Sequence, residues 1–560
     1  MGSAWYVVAV IAMLTIAAPK HHKVAVAAAM TCRGDVTIAT GGGVAVSLSD
    51  MAAAMASATE ASAHNRDPTL VVLSDCRLTA PLIIDVGGRI GTLSPTTTTT
   101  VPTTLLINGI VLSADASLVL TDVRGGGRLV ANISVILRNA SGTARGHFVS
   151  VVSAAAVDNV TLVVADSNIT IGPDAMTGNA SVACVVFPRL SAQRLWSVQS
   201  PLSALLTTRV NVSSVAGTAC AAGVIMSAST ATRATFSISR DFVAIAADSS
   251  ITLTASKYGG AVAVGASGTF TGNGNARVDL TLDVVSWFAL RGRVTALTPP
   301  LPSLPSAIAS TPPVPSSAVG LAIDSPVGAV RLSATQLVGI AVASDISLRL
   351  PSASTASAVI GLSARSELGD ITVVANHILF VAMSGTAISS VGNGRSGAVA
   401  ALLGVSSSSD TSGSNYLDVT NTAMIAINGC TLDVESANTA ALGLGVNTVA
   451  GNNRVSVTNL TLSAAFNTSI AVHSFSVTAV VAVALLTDKS NRVAMVNTTL
   501  ALIFNSSAVV RGTSTAFAVV PSLGSPWSWR STATSRASSI RVMSPWWASK
   551  CRDRLPPAAP

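Results

Sequence analysis

Short runs of glycine and small aliphatic residues recur at a nearly constant spacing along this chain of 560 residues. Successive runs lie 39, 40, 57, 41, 41, 41 and 41 residues apart, counted between one central residue of each run. The long spacing contains the 17-residue proline-rich stretch Pro299–Pro315, and without that stretch it is 40. A period of roughly 20–50 residues is typical of solenoids and propellers. The central residues are Val185, Val224, Val264, Leu321, Leu362, Leu403, Leu444 and Leu485.

Each run is followed by a polar or Gly/Asn turn and then by a segment in which apolar and small polar residues alternate. Such segments begin at Arg277, Asp370, Tyr416, Arg454 and Arg492. Alternation with a period of two predicts a β-strand with one buried face. In four segments an asparagine interrupts the apolar pattern at a comparable place. We expect it to bend the chain between two strands, with its amide stacked on the same residue one coil away. These residues are Asn376, Asn421, Asn459 and Asn497.

A unit of about 40 residues with two or three short strands fits either a parallel β-solenoid or a propeller blade. Blades usually carry a recurring aromatic residue, whereas the repeat region contains only Trp196 and Trp287, and aromatics make up 4% of the chain. With 49% hydrophobic and 10% charged residues, the composition argues against disorder and excludes a charge-laced coiled coil. We therefore predict an all-β fold, a right-handed parallel β-helix (β-solenoid) with repeats of about 40 residues and an N-terminal capping helix.

The chain divides around this repeat. The alanine-rich stretch Asp50–Ala63 predicts a helix that would cover the open first coil. Strands are expected after it at Leu70–Asp75 and Pro81–Val86. The C-terminal segment carries four of the seven tryptophans without any alternation, so we expect it to be disordered. The predicted organisation is a signal peptide or signal anchor at 1–29, an N-terminal cap with the first strands at 30–91, a Thr/Pro-rich loop at 92–104, the first half of the solenoid at 105–297, a Pro-rich insertion or linker at 298–317, the second half at 318–520, and a basic Trp/Arg-rich tail at 521–560.

The N-terminal segment predicts export. Ala4–Ala18 has the length of a signal-peptide apolar region and is shorter than a membrane-spanning helix. Lysines and histidines directly after it leave an uncleaved signal anchor as the alternative. Either way, the chain is expected at the cell surface or secreted. Asn-x-Ser/Thr glycosylation motifs support export, although these asparagines could equally be structural. The motifs begin at Asn132, Asn139, Asn159, Asn168, Asn179, Asn211, Asn459, Asn467, Asn497 and Asn505.

Six cysteines are few for a disulfide scaffold, but two pairs are close enough in sequence for local bridges in an oxidising compartment. These pairs are Cys32–Cys76 and Cys184–Cys220. No Cys-x-x-Cys motif occurs and no histidines have metal-ligand spacing, so we predict no metal site and no cofactor. The tripeptide Arg33-Gly34-Asp35 matches an integrin-type motif, which is weak without further context.

Parallel β-solenoids include polysaccharide lyases and glycoside hydrolases, so catalysis has to be considered. A hydrolase needs carboxylates a few ångströms apart, whereas the 25 acidic residues here are spread singly, and we predict no catalytic residue. The net charge of +8 lies mostly in the C-terminal tail, and the repeats lack basic patches with interleaved aromatics, which argues against nucleic acid. Six aspartates are expected to act mainly as turn formers at strand ends, Asp241, Asp248, Asp279, Asp283, Asp345 and Asp370.

Several segments resemble one protein family. The segments NVTLVVADSNIT, RVNVSSVAG, NRVSVTNLTLSA and NRVAMVNTTLAL, with the export segment and sparse aromatics, resemble the large kinetoplastid surface proteins of the dispersed-gene-family type. The resemblance covers roughly residues 130–510. It implies a cell-surface β-solenoid of adhesive or coat-like function without known catalysis. The chain departs from the family in being short and in lacking a C-terminal membrane-spanning region.

The predicted function is therefore that of a non-enzymatic, exported, membrane-associated surface protein. It would be a glycosylated β-solenoid that serves adhesion, recognition or coat roles. Surface glycans or proteins are the expected partners, together with a membrane if the N-terminal segment is uncleaved. The alternative is a carbohydrate-active β-helix enzyme, either a polysaccharide lyase or a glycoside hydrolase. Acidic groups that converge on one face of adjacent coils would favour the enzyme.

Overall fold

The structure of the chain is a computed structural model that describes 41 β-strands and short connections between them. This part of the chain contains no helix. The predicted capping helix at Asp50–Ala63, the apolar segment Ala4–Ala18 and the stretch Pro299–Pro315 lie outside the described residues. Apart from the strands, the described residues are 166–167, 173, 179, 183, 200–201, 207–208, 218, 240–241, 248–249, 291–292, 328, 343–344, 368–370, 384–386, 413–414, 428–430, 443, 451–452, 466–468 and 497.

The strands follow one another along the whole described chain, as the alternating pattern predicts. Their bounds are β1 Ala29–Val36, β2 Val44–Ser47, β3 Thr69–Leu78, β4 Pro81–Asp85, β5 Thr103–Thr121, β6 Leu129–Val152, β7 Ala156–Ala165, β8 Asn168–Gly172, β9 Ala180–Val182, β10 Cys184–Phe187, β11 Leu195–Gln199, β12 Leu202–Leu206, β13 Arg209–Ser214, β14 Ala219–Thr230, β15 Arg233–Ser239, β16 Phe242–Ala247, β17 Ser250–Ala255, β18 Ala261–Gly272, β19 Arg277–Leu290, β20 Arg293–Leu297, β21 Ser316–Ser325, β22 Ala329–Val342, β23 Asp345–Leu350, β24 Ala356–Ser366, β25 Ile371–Met383, β26 Ala387–Gly392, β27 Val399–Ser409, β28 Asn415–Ile427, β29 Thr431–Ser436, β30 Thr439–Ala441, β31 Leu444–Thr448, β32 Asn453–Ala465, β33 Ser469–Ser474, β34 Thr478–Val480, β35 Val483–Leu486, β36 Asn491–Val496, β37 Thr499–Ile503, β38 Ser507–Gly512, β39 Thr515–Phe517, β40 Trp527–Trp529 and β41 Ser538–Met543.

The strands form one long, almost entirely parallel sheet. Strand β12, for example, pairs in parallel with β7 on one side and with β16 on the other. Leu202 thereby lies between Thr161 and Val243. We call the stretch of chain from a residue to its partner in the next strand a coil. The predicted all-β fold with parallel strands is confirmed, and the predicted first strands appear as β3 and β4.

The number of residues in a coil varies along the chain. Hydrogen-bonded partners in neighbouring coils are 27 residues apart at Asn132–Asn159, 41 at Thr208–Ser249 and 38 at Asn421–Asn459. The separation rises to 52 at Gly292–Ser344, in the coil that contains Pro299–Pro315. Strands β20 and β23 still pair in register on either side of that stretch. The extra residues therefore do not change the register of the strands on either side.

Inward-facing aliphatic side chains fill the interior. In β28, residues alternate between buried and half-buried positions, which is the period-two pattern predicted for a half-buried strand. Each buried Val, Leu or Ile contributes about 1.5–3 kcal/mol relative to an exposed one. Aromatic rings enter the core in a few coils, where Trp196 stacks on Phe236 with ring centroids 4.4 Å apart.

One bend between strands carries a ladder of asparagines. Nδ2 of Asn421 donates to Oδ1 of Asn376 at 2.9 Å, Asn459 donates to Asn421 at 2.9 Å, and Asn497 donates to Asn459 at 3.1 Å. The last three residues have φ of 50–56°, the left-handed conformation that asparagine tolerates better than most residues. We call this position the first bend column. The predicted stacking of amides at a bend is confirmed.

A second bend follows about seven residues later and pairs a left-handed residue with a buried hydroxyl. At Asp248 the chain has φ 51°, and the next residue, Ser249, is buried. Its Oγ donates to the carbonyl of Ala247 at 2.8 Å and accepts from the N–H of Thr208 at 3.2 Å. The hydroxyl thus satisfies backbone groups that the bend removes from the sheet. We call this the second bend column, and its buried hydroxyls include Ser167, Thr208, Ser249, Ser344, Thr386 and Thr468.

Glycines stack at a third position, inside the repeated runs. Gly223, Gly265, Gly320 and Gly361 have φ of 141–147° and are followed in the column by Gly404 and Gly443. A Cβ on any of the first five would overlap the carbonyl oxygen of the next glycine. The backbone approaches too closely here for any other residue. We call this position the glycine column.

The C-terminal segment 521–560 contributes the strands Trp527–Trp529 and Ser538–Met543, and our expectation of disorder is wrong for the residues of these two strands; the rest of the segment lies outside the described residues. Strand β40 pairs antiparallel with β36, and β41 pairs antiparallel with β38. The last coil of a parallel sheet has unpaired N–H and C=O groups along its edge, and an extended segment can pair with them whatever its side-chain pattern. Hydrophobic periodicity does not reveal this kind of pairing.

Candidate binding surface

The outward side chains of successive coils form surfaces of different character. Strands between the two bend columns carry aliphatic residues outside, and Val163, Ala204, Ile245 and Phe288 form a cluster separate from the core. Strands after the second bend column carry mostly polar residues outside. We call this second surface the polar face; it consists of the outward side chains of β8, β13, β17, β20, β23, β26 and β29.

An open groove of about 640 Å³ lies where the second bend column meets the polar face. Three successive coils build it, since Ser141 pairs with Asn168 and Asn168 pairs with Arg209. The parallel register therefore sets side chains from distant parts of the sequence side by side, one strand spacing apart. The lining residues are Asn139, Ala140, Ser141, Asp166, Ser167, Asn168, Thr207 and Arg209.

Backbone geometry fixes the floor of this groove. Asn139, Asp166 and Thr207 all have φ of 49–54°, so their side chains stand at equivalent corners of three coils. Buried Ser167 holds the corner because its Oγ donates to the carbonyl of Ala165 at 2.6 Å and accepts from the N–H of Ala140 at 3.0 Å. The bonds of Ser167 therefore fix this corner without using the exposed side chains.

The exposed side chains of the groove are all polar. Asn139, Asp166, Asn168 and Arg209 are exposed, and they offer amide, carboxylate and guanidinium groups. Hydroxyls of Ser141 and Thr207 add groups that both donate and accept. A ligand with many hydroxyl groups, such as a carbohydrate, could bond to several of these at once. The groove is open, which suits an extended chain rather than an enclosed small molecule.

Several acidic residues pair with arginines instead of converging on one site. Arg291 forms two bonds to Asp248, at 2.8 and 2.6 Å, and holds the pKa of that carboxyl below its usual range. Arg293 bonds to Asp345 at 3.1 Å, and Asp279 accepts from Arg233 and from Arg277, the latter at 2.8 Å. Within the described residues, no three His, Cys, Asp or Glu residues lie close enough to hold a metal ion.

The predicted role of aspartates as turn formers holds at four of the six positions. Asp241 and Asp248 have positive φ at the two bends, and Asp345 begins β23. Asp370 precedes β25 and accepts from the N–H of Ser414 at 2.7 Å. The other two, Asp279 and Asp283, lie inside strand β19, which contradicts the expectation for them. Asp279 is tolerated there because two arginines neutralise it.

Sequence reasoning missed a fully buried ion pair. Nη1 of Arg365 lies 2.9 Å from Oδ1 of Asp324, and both side chains are less than 5% exposed. Asp324 and Arg365 are register partners on β21 and β24. Opposite charges separated by one repeat length, 41 residues here, are the signal that could have revealed it.

The ten glycosylation motifs occupy different kinds of position. Five of the asparagines belong to amide–amide bonds at bends, Asn132, Asn139, Asn159, Asn459 and Asn497. Asn168 and Asn211 are exposed on strands β8 and β13. Oδ1 of Asn179 accepts from the N–H of Thr218 at 2.8 Å, Asn467 is exposed at the second bend column, and Asn505 lies outside the described residues.

Of the two predicted cysteine pairs, the structure brings Cys184 and Cys220 together. Their Sγ atoms are 2.9 Å apart in the interior, as thiols. Burial, together with the hydrogen bond that the Cys184 thiol donates to Sγ of Cys220, raises the pKa of Cys184 well above its usual value. Cys32 and Cys76 lie on the paired strands β1 and β3, and their side chains are outside the described set. The tripeptide Arg33-Gly34-Asp35 lies within β1.

No protein-family model, curated protein or solved structure matches the chain. Among the described residues, no helix has the length and hydrophobicity needed to cross a membrane.

Proposed function

We propose that this protein is a non-enzymatic, exported surface protein whose polar face binds extended glycans. The observation that carries the proposal is the groove, where three adjacent coils present amide, carboxylate, guanidinium and hydroxyl groups. Asp166 is the one carboxylate that lines it, whereas glycoside hydrolysis ordinarily requires two. Binding without cleavage is therefore the function that this arrangement supports best.

The proposal includes a finer description of the fold. The coils, of about 40 residues in the main repeat, wind as a right-handed β-solenoid with a helix from Asp50–Ala63 over its first coil. Support for the hand comes from the strong preference of parallel connections for right-handed crossover. A solenoid suits an adhesive or coat role because each coil contacts only its neighbours and the outward faces stay regular over a long distance.

Export completes the proposal. Ala4–Ala18 would direct the chain into the secretory pathway and, if uncleaved, would hold it at the membrane. In that oxidising compartment we expect Cys184 and Cys220 to form a disulfide. The raised pKa of Cys184 disfavours the reactive thiolate once the coil is closed, so the bond would form during folding. The resemblance to kinetoplastid surface proteins points to the same location.

The binding proposal is tested with protein purified from a host that adds no N-glycans, on a panel of immobilised neutral and acidic polysaccharides. We expect the triple variant Asp166→Ala, Asn168→Ala, Arg209→Ala to bind at least about tenfold more weakly, because each lost bond costs about 0.5–1.5 kcal/mol. The matched control is Asp433→Ala with Glu435→Ala, which lie on the same polar face several coils away. Equal binding by the two variants would refute the proposal that the groove is the binding site. New reducing ends in the polysaccharide would establish the enzyme alternative.

Export is tested separately, by locating the chain on intact cells and sequencing the N-terminus of the mature form. A new N-terminus shortly after Ala18 would establish a cleaved signal peptide. An intact N-terminus on a surface-exposed chain would establish a signal anchor. A chain that remains inside the cell would contradict the proposal.

A further inference from the structure

The asparagines of the glycosylation motifs differ in what their amide nitrogens already do. Nδ2 of Asn139 donates to Oδ1 of Asn108 at 2.7 Å, and Nδ2 of Asn159 donates to Oδ1 of Asn132 at 2.7 Å. At the first bend column, Nδ2 of Asn459 donates to Oδ1 of Asn421, and Nδ2 of Asn497 donates to Oδ1 of Asn459. Each of these four nitrogens points along the stack of coils, at the amide of the coil before it, and we call the four residues the ladder asparagines.

N-glycosylation acts on the same atom. Oligosaccharyl transfer forms a bond between Nδ2 and the anomeric carbon of a lipid-linked oligosaccharide. The bond from that carbon to the lipid diphosphate breaks, and the diphosphate leaves while Nδ2 loses one proton. The nitrogen therefore keeps a single N–H and gains a sugar ring.

A sugar on a ladder asparagine has no room within the stack. Neighbouring strands are about 4.8 Å apart, which is less than the width of a pyranose ring with its substituents. Asn459 is bonded on both sides, since its Oδ1 also accepts from Asn497. A glycan on Asn459 would displace this amide and break both of its bonds, which opens the ladder on either side of the bend.

Asn168 and Asn211 are placed differently. Both lie on the polar face with exposed side chains, Asn168 at the start of β8 and Asn211 within β13. The register partners of Asn168 are Ser141 and Arg209, and those of Asn211 are Thr170 and Thr252, so neither belongs to a ladder of asparagines. A glycan on either residue projects away from the sheet and leaves every coil-to-coil bond intact.

We propose that Asn168 and Asn211 carry the glycans of the folded protein, and that Asn139, Asn159, Asn459 and Asn497 have to remain unmodified for the coils to stack. The inference rests on the proposed passage through the secretory pathway. Transfer occurs on the unfolded chain, so a molecule modified at a ladder asparagine is expected to fail in folding and to be retained. A glycan on Asn168 would also cover one wall of the groove, so binding of extended glycans in the groove is expected only for molecules that are bare at Asn168.

The test uses the full chain behind a heterologous signal peptide in a eukaryotic secretion host, so that it does not depend on the native N-terminus. Secreted and retained fractions are treated with a glycan-releasing amidase in oxygen-18 water, and occupancy of each asparagine is read by mass spectrometry. In the secreted fraction we expect Asn168 and Asn211 to be occupied and the four ladder asparagines to be bare. In the retained fraction we expect occupied ladder asparagines to be enriched several-fold.

Two variants make the result independent of overall yield. The first removes the four ladder motifs at their third residues, Ser141→Ala, Thr161→Val, Thr461→Val and Thr499→Val, and keeps the asparagines themselves. We expect it to be secreted several-fold better than the parent chain. The matched variant, Thr170→Val with Ser213→Ala, removes the two accepted motifs and should lose glycan mass without that gain.

Secreted, protease-resistant protein with glycans on Asn159 or Asn459 would overturn the inference, and so would bare Asn168 and Asn211. Equal secretion of the parent and of the four-site variant would also overturn it. Failure of the native N-terminus to direct export would refute the proposed export without affecting these site assignments.

Discussion

The asparagine ladder and the glycine column both stack like residues from coil to coil, but they place opposite demands on the side chain. At the first bend column the side chain is exposed and makes the bond, since Asn459 links Asn421 to Asn497 through amides. In the glycine column the backbone itself fills the space, and a Cβ on Gly361 would overlap the carbonyl oxygen of Gly404. Solvent can replace a missing amide bond, whereas nothing can relieve a steric overlap between buried backbones. The buried column should therefore be much less tolerant of substitution.

The largest effect is expected for Gly361→Ala. The added Cβ meets backbone atoms, and φ of 147° is unfavourable for alanine, so we expect a loss on the order of 3–5 kcal/mol. The measurement is the melting temperature, together with hydrogen exchange of the flanking strands β21 and β27. Gly385→Ala is the matched control, because Gly385 has φ of 76° and no neighbour within 4 Å of the added Cβ. A Gly385→Ala loss as large as that of Gly361→Ala would show that φ, and not the close approach, controls the column.

A smaller loss is expected for Ser249→Ala, which tests a buried side chain that bonds to the backbone. The change leaves the N–H of Thr208 without the Oγ acceptor, and we expect a cost of about 1–3 kcal/mol. Accelerated hydrogen exchange at Thr208, compared with the neighbouring Ser250→Ala variant, is the readout. Equal protection in the two variants would mean that the hydroxyl contributes nothing to the bend.

The ladder itself is tested by Asn459→Gly and Asn459→Ala. Glycine removes the amide but accepts φ of 56°, so we expect a loss of about 1 kcal/mol. The alanine variant should lose about 1 kcal/mol more, because the left-handed conformation is unfavourable for alanine. Local exchange rates in β32 and β36 provide the comparison. A glycine variant as stable as the parent would mean that the amide bonds add no stability, and that asparagine occurs here only because it tolerates the left-handed conformation.

The smallest effect is expected for Arg291→Ala, which removes an exposed ion pair. Arg291 lowers the pKa of Asp248 in the folded chain, so the pair adds stability above the unfolded carboxyl pKa of about 3.9 and loses it as pH falls through the lower folded pKa. The melting temperatures of parent and variant should therefore differ slightly at pH 7 and converge below about pH 4. A difference that persists at low pH would assign the effect to packing of the arginine stem instead.

Much of the fold could be predicted from the sequence because apolar and polar side chains alternate along the strands in every repeat. Alternation located strands such as β25, β28 and β32, and the recurring asparagines located the first bend column. The spacing of the aliphatic residues predicts that Leu403 pairs with Leu444. The structure instead pairs Leu444 with Val405, in a register that superposes the glycines. Close backbone approach, rather than side-chain hydrophobicity, sets that register.

Other features leave little trace in a single sequence. The groove depends on which residues of three coils become neighbours, and an error of one residue in register would replace Arg209 by a buried valine. The antiparallel strands at the C-terminal edge are held by backbone bonds, which carry no side-chain pattern. The buried Asp324–Arg365 pair shows the opposite case, in which the repeat length would have been enough to find it.

The coil that contains Pro299–Pro315 has a consequence for how such a protein can diversify. Strands β20 and β23 pair without a register shift although their partner residues are 52 residues apart, whereas partners in an earlier coil are 41 residues apart. Closing a longer loop costs little, since each doubling of its length adds only about 0.6 kcal/mol. New sequence can therefore be spliced into one side of the molecule while the rest keeps its alignment. An epitope or a small domain inserted between β20 and β21 should therefore leave the pairing of β20 with β23 unchanged.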